Sequence, residues 1–153
     1  MTSTVTTTHQ RHVEDVEVGD LITPVAFPVT VYRLVMEAGA QRDFNSIHHN
    51  TEYAQSTGAR EMYANTLFLL GMWERTIRDW IGLDGTITAI RGFRMRSFNY
   101  VGDTTTVHGR VTDISKDGTG SVTIEVWCES SEGVTVGPGS VVVTLPSRGN
   151  HEQ

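Results

Sequence analysis

From Thr104 to Leu145, hydrophobic and polar positions alternate. In SVTIEVWCE, Val122, Ile124, Val126 and Cys128 share one parity and Thr123, Glu125 and Glu129 the other, with Trp127 breaking the polar face. A period of two is the mark of a strand with one face buried. In DTTTVHGRVTDI, Val107 and Val111 share a parity, and in TITAIRGFRMRSF, Phe93 and Met95 oppose Arg94 and Arg96. VTVGPGSVVVTL closes the set, with Gly137-Pro138-Gly139 predicted as a bulge or bend. KDGTG reads as a hairpin turn. Segments joined by such short turns predict an antiparallel sheet.

The first half follows a helical period instead. In FPVTVYRLVMEAGAQ, Val31, Leu34, Val35 and Ala38 recur at helical spacing, with Thr30 to cap the start and Gly39 after them. HNTEYAQSTG offers Asn50 as a cap, a short helix, and Gly58 as its stop. The third and longest helix starts at Asn65 and stops at Gly82. Leu67 to Met72 is apolar on every side except for Gly71, so this helix should begin inside the molecule. Further on, Trp73, Ile77, Trp80 and Ile81 face one way and Glu74, Arg75, Arg78 and Asp79 the other. One buried helix with a run of long antiparallel strands suggests an α+β hot-dog fold, a sheet wrapped around a helix. A plain α+β sandwich is the alternative. A hot-dog sheet leaves an open edge, which favours pairing with a second subunit.

At 153 residues the chain suits one domain, expected over 13–146, with a disordered tail over 1–12 and a frayed C-terminus over 147–153. The formal net charge of -6 argues against a nucleic-acid surface. Cys128 is the single cysteine, so neither an internal disulfide nor a cysteine zinc site can form. That fits a reducing compartment. The opening MTSTVTTTHQRH is polar, and the longest apolar run, LFLLGMW, is too short to span a bilayer. A soluble cytoplasmic protein is expected, with no nucleic-acid or membrane partner.

Candidate chemistry collects in RDFNSIHHN, where Asp43, Asn45 and His48 fall on a loop between the first two helices. Residues five apart converge only if the loop curls, as Asp and Asn allow. Taken alone, the same residues also describe an ordinary solvated loop. His49 should point elsewhere, and a metal site from His48, His49 and Asp43 lacks a convincing third ligand, so no metal is expected.

Asp43-Phe44-Asn45-Ser46-Ile47-His48, followed by Tyr53-Ala54, resembles the hydratase 2 motif of the MaoC-like (R)-specific enoyl-CoA hydratases. EDVEVGDLI and FNYVGDT are similar to segments of the same family, and the likeness covers roughly residues 13–145. Three positions depart from it: Gln41-Arg42 replaces the usual Ser-Gly, Ser46 the usual Pro, and Ala64-Asn65 a common His-Gly. These departures, the double histidine and REMYANTLFLLGMWERTIRDWIG look closer to the small subunits of two-component hydratases of bacterial steroid side-chain degradation.

The resemblance implies a hydro-lyase that adds water to a 2-enoyl-CoA, needs no separate cofactor, and assembles as a dimer or a heterotetramer with a second MaoC-like subunit. It implies His48 as principal base, Asp43 as its acid partner, and a backbone N–H of Asn65 or Thr66 as donor to the thioester oxygen. Asn65 also reads as a plain helix cap, and Asn45 as shaping the loop. Arg60, Arg91, Arg94 and Arg96 are candidates for the CoA phosphates, or else an ordinary solvated face. Phe68, Met72, Trp73 and Trp80 are candidates to line an acyl pocket, with core packing or a partner interface as their other roles. His108 and Trp127, on the outer sheet face, have no assigned role. Two other functions compete: a hot-dog thioesterase, for which Glu74 is the only carboxylate well inside the long helix, and an interaction subunit inactive without a partner.

Overall fold

The computed structural model describes residues 9–150. Strands β1 (Leu21–Pro28), β2 (Thr86–Arg91), β3 (Thr104–Ile114), β4 (Ser121–Ser130) and β5 (Gly133–Thr144) form one antiparallel sheet in the order β1-β3-β4-β5-β2. Helices α1 (Val31–Gln41) and α2 (Thr51–Ser56) lead to α3 (Thr66–Ile81), which lies against the sheet. This is the hot-dog arrangement of the α+β class. No helix among the described residues is long and apolar enough to cross a membrane.

The core forms where the two periods meet. Helix α3 contributes Leu69, Met72, Trp73, Ile77 and Ile81, all but inaccessible. The sheet answers with Val107, Val111, Val122, Ile124, Val126, Val141 and Val143. Each such side chain contributes about 1.5–3 kcal/mol on leaving water. Asn65 caps α3 through its side-chain oxygen, and Gly82, at φ 83, ends it. On the opposite face of α3, Arg75 pairs with Asp79 and Arg78 with Glu74, as the sidedness of that stretch requires. Leu67, expected inside, is 55% exposed, because the first turn of α3 opens onto a cleft.

Three further differences have local causes. Strand β1 is not signalled by its sequence, LITPVAFP, because two prolines break the alternation. Among the described residues it is an edge strand paired only with β3, where a missing N–H is tolerated, and Pro24 sits in a register shift between Ile22 and Val25. The strand expected through TITAIRGFRMRSF ends at Arg91, because Gly92 turns the chain at φ 67. Arg94 and Arg96 therefore lie on a loop joined to β5 by the Met95–Val136 bridge and by backbone hydrogen bonds from Arg96 to Thr135 and from Gly137 to Arg94. Helix α1 runs past Gly39 to Gln41 and buries only Leu34 and Ala38, leaving Val31 and Val35 half-exposed at the rim. The expected bulge at Gly137-Pro138-Gly139 is present as a register shift between β4 and β5.

Of the expected tail over 1–12, residues 1–8 lie outside the described residues. Gln10 donates to the Ile81 carbonyl, and Arg11 lies 4.5 Å over the Trp80 ring, so this part of the segment is anchored to the end of α3. Of 147–153, residues 151–153 lie outside the described residues, and Ser147 and Arg148 bond to Glu14.

Candidate active site

The curl of the loop that carries Asp43 and His48 begins at the end of α1. The Arg42 N–H donates to Gly39 and the Asp43 N–H to the Ala38 carbonyl at 3.0 Å, which is a Schellman closure with Arg42 in the left-handed position at φ 57. Glycine usually holds that position, and a side chain there costs about 1 kcal/mol. Asn45 then caps a 3-10 turn over Ser46–His48, its side-chain oxygen accepting from the Ile47 N–H at 3.3 Å. The turn swings His48 back across the loop toward Asp43.

His48 Nε2 lies 3.3 Å from Asp43 Oδ2. The histidine side chain is 9% exposed and the aspartate side chain 39%, so the pair runs from the interior to the mouth of a cleft. His48 Nδ1 sits 2.8 Å from the Tyr63 carbonyl oxygen. A carbonyl only accepts, so Nδ1 carries the hydrogen and Nε2 faces the cleft as the variable nitrogen. The Tyr63 ring meets the imidazole edge-on at 5.5 Å and stacks on Phe98 at 4.1 Å. Burial, with Tyr100 adding to it, raises the Tyr63 phenol above its ordinary pKa.

The cleft encloses about 220 Å³ and includes Asp43, Ile47, His48, Tyr63, Asn65, Thr66 and Met95 in its lining. It opens at the amino end of α3, where free N–H groups and the helix dipole favour negative charge. The backbone N–H groups of Asn65 and Thr66 have no partner among the described residues, and both residues line the cleft. A second hollow of about 350 Å³ shares Ile47 and Tyr63 with the first.

The other candidates are scattered. His49 Nε2 faces the Phe44 carbonyl at 3.2 Å, away from His48. No group of three or more metal-ligating side chains converges among the described residues. Arg60 is held by Asp103 at 2.8 Å and Glu132 at 2.5 Å and covers the Tyr100 ring, so its charge is already matched. Arg94 and Arg96 are exposed neighbours of Met95 in the chain but are absent from the cleft lining, Arg96 Nε donating to the Gly137 carbonyl, and Arg91 lines a separate hollow beside Pro138. Of the acyl-pocket candidates, Phe68 is half-buried, while Met72, Trp73 and Trp80 are buried in the core and absent from the cleft lining. The reason is that α3 turns these residues inward; Trp73 Nε1 even donates to Cys128 Sγ at 3.1 Å. Glu74 lies on the exposed face of α3, paired with Arg78. His108 stacks on Trp127 and meets Glu129 at 3.2 Å on the outer face of the sheet.

Two supports of the site escape sequence reasoning. The Tyr63 carbonyl acts through its backbone, which carries no residue signature. Behind it, the Ala64 N–H donates to the Asn99 carbonyl at 2.9 Å, and the Tyr63–Tyr100 bridge holds the strand-like segment in place. Asn99 is itself locked, its side-chain oxygen accepting from the hydroxyls of Thr105 and Thr135 at 2.9 and 2.8 Å. FNYVGDT carries the only signal for this support, and nothing in it points to a contact so distant in sequence.

A buried helix in a sheet, with an acid, a histidine and free amides at its amino end, defines a hot-dog enzyme of the hydratase kind. Comparison with known proteins agrees. No family model matches the chain. Over 93 residues it is 33% identical to the 3-oxo-4,17-pregnadiene-20-carboxyl-CoA hydratase beta subunit of Mycobacterium tuberculosis, an alignment covering 61% of this chain and 69% of that protein. The crystal structure of the ChsH1-ChsH2 complex from the same organism superposes with a TM-score of 0.78 at 28% identity, over 84% of this chain and 98% of that one. The (R)-hydratase from A. caviae involved in PHA biosynthesis shares the fold, with a TM-score of 0.80 at 20% identity over 87% and 99% of the two chains. The chain belongs to the MaoC-like hydratases and is a hydro-lyase.

Proposed function

We propose that this protein adds water across the double bond of a 2-enoyl-CoA, with His48 and Asp43 activating the water. The observation that carries the reading is the 3.3 Å approach of His48 Nε2 to Asp43 Oδ2 beside the amino end of α3. With Nδ1 donating to Tyr63, a neutral His48 presents a lone pair toward a carboxylate. A water molecule that gives one hydrogen to each satisfies both acceptors. His48 Nε2 takes one proton as the water oxygen bonds to the β-carbon of the enoyl thioester. The alkene electrons move onto the thioester oxygen, where the N–H groups of Asn65 and Thr66 stabilise the charge. The proton passes from His48 through the Asp43 carboxyl to the α-carbon, and the thioester carbonyl re-forms. The reverse sequence is dehydration of a 3-hydroxyacyl-CoA.

The substrate we favour is a bulky CoA ester of the steroid side-chain type. The substrate in the name of the 33%-identical relative, a pregnadiene carboxyl-CoA, supports this, as do two adjoining hollows that offer room beyond a short acyl chain. Arg94 and Arg96, exposed on either side of the cleft residue Met95, are the arginines we favour for the CoA phosphates. The partner we favour is a second hot-dog subunit, as in the ChsH1-ChsH2 complex, and the single buried cysteine fits a cytoplasmic setting.

The test is loss of enone absorbance with a steroid enoyl thioester and a crotonyl thioester, for the chain alone and co-expressed with a second MaoC-like subunit. We expect hydration of the steroid thioester, strongest with the partner. Hydration of the crotonyl ester alone would overturn the substrate assignment. Free thiol in place of hydrated product would overturn the reaction.

A further inference from the structure

We infer that the side chain of Asn65 is a positioning residue for catalysis, a bracket that fixes the Asp43 carboxylate to the amino end of α3. The inference rests on the assignment of Asp43 and His48 as the water-activating pair. It assigns the side chain a task separate from that of the Asn65 backbone N–H.

Asn65 is 5% exposed and makes two side-chain hydrogen bonds. Its Oδ1 accepts from the Phe68 N–H at 2.8 Å, which caps α3. Its Nδ2 donates to Asp43 Oδ2 at 3.2 Å. The orientation of the amide is not arbitrary. The Phe68 N–H is a donor and demands the oxygen, so the NH₂ group must face the carboxylate. The same Asp43 oxygen faces His48 Nε2. The amide thus holds one carboxylate oxygen, sets the plane of the group, and leaves Oδ1 free for water.

Asp43 needs such a bracket. Its side chain is 39% exposed, and it follows Arg42, which sits in a left-handed conformation without glycine's ease. A carboxylate at a cleft mouth otherwise samples several rotamers. Tying it to the first turn of α3 registers the loop acid against the N–H groups that receive the thioester oxygen. One rigid element then carries both halves of the chemistry. Only a group with an acceptor and a donor about two bond lengths apart performs both tasks. A serine hydroxyl is one atom and cannot occupy both places. An aspartate has the right shape and caps a helix as well as asparagine does, but it sets an oxygen against the Asp43 oxygen.

These properties separate positioning from mere capping. Asn65→Ser and Asn65→Asp are both good caps, so a purely structural role leaves both variants with normal turnover. We expect the midpoint of thermal unfolding to stay near that of the parent chain for both. We expect kcat to fall about tenfold in Asn65→Ser and further in Asn65→Asp, the scale of a lost hydrogen bond to a charged group. KM for the enoyl thioester should stay within about twofold in Asn65→Ser, because the amide touches Asp43 and not the substrate. Asp43→Asn is measured beside them. Parent-like kcat in both Asn65 variants, with Asp43→Asn inactive, would overturn the bracket alone. Parent-like kcat in Asp43→Asn would overturn the site assignment beneath it.

Discussion

In β4, Val122, Ile124, Val126 and Cys128 are fully buried, and every residue between them is half-buried. In the stretch from Arg42 to Asn50, His48 alone is buried, and the shape comes from caps and carbonyls: Ala38 and Gly39 accept from the loop, Asn45 caps the turn, and Tyr63 holds the imidazole. The sheet is specified by which side chains leave water. The loop is specified by where backbone groups find partners. Damage to the first should therefore unfold the molecule, and damage to the second should stop turnover while the fold persists.

The largest effects should show that division. His48→Ala and Asp43→Asn are each expected to cut kcat by about a hundredfold or more, the scale of lost general acid–base catalysis, with thermal unfolding nearly unchanged. Trp73→Ala should do the opposite. It removes a fully buried indole and its bond to Cys128, and should cost about 3–5 kcal/mol in denaturant unfolding while the folded fraction turns over normally. Asn99→Ala should blur the division, because Asn99 belongs to both regions. It would leave the Thr105 hydroxyl without its acceptor and the Thr135 hydroxyl with only its longer bond to the Cys128 carbonyl, at a cost of about 1–3 kcal/mol, and loosen the segment behind Tyr63, so stability and kcat should fall together. If kcat holds while stability falls, Asn99 belongs to the core alone.

The smaller effects sharpen the comparison. Arg42→Gly should raise stability by up to about 1 kcal/mol by relieving the left-handed backbone, with kcat unchanged, since the closure at Ala38 and Gly39 survives. On the sheet side, burial pushes the Cys128 thiol up to about 12, with the Trp73 N–H pulling weakly the other way. The native chain should therefore not react with a thiol reagent at pH 8 and should react fully once unfolded. Burial keeps the thiol protonated in the folded chain. The stability linked to it is whole below its ordinary value near 9 and lost as pH rises from there toward 12.

The same division governs what could be read from the chain. The alternation in SVTIEVWCE gave the inward face of β4 residue by residue, and Asn65 and Gly82 marked both ends of α3. Strand β1 was hidden by Pro24 and Pro28, which an edge tolerates but a pattern does not display. The arginine strand failed at Gly92, where a single positive φ outweighed the period of two. Of the site, Asp43 and His48 were legible because their side chains form a motif, and their approach required only that Asn45 curl the loop. The Tyr63 carbonyl was not legible, since any residue supplies one. The reach of Asn65 to Asp43 was not legible either, since a cap and a bracket look alike in sequence. Met72 and Trp73 were misplaced as possible cleft residues because a helical face gives direction only once its neighbours are known.

One pair of traces tests the central claim most directly. A steroid enoyl thioester is followed by enone absorbance, with a thiol reagent present, for the parent chain and for His48→Ala at equal folded concentration. The parent should bleach the enone without releasing thiol, and the variant should bleach it at least about a hundredfold more slowly. Equal bleaching by the two, or thiol release by the parent, would show that the imidazole facing Asp43 is not what adds the water.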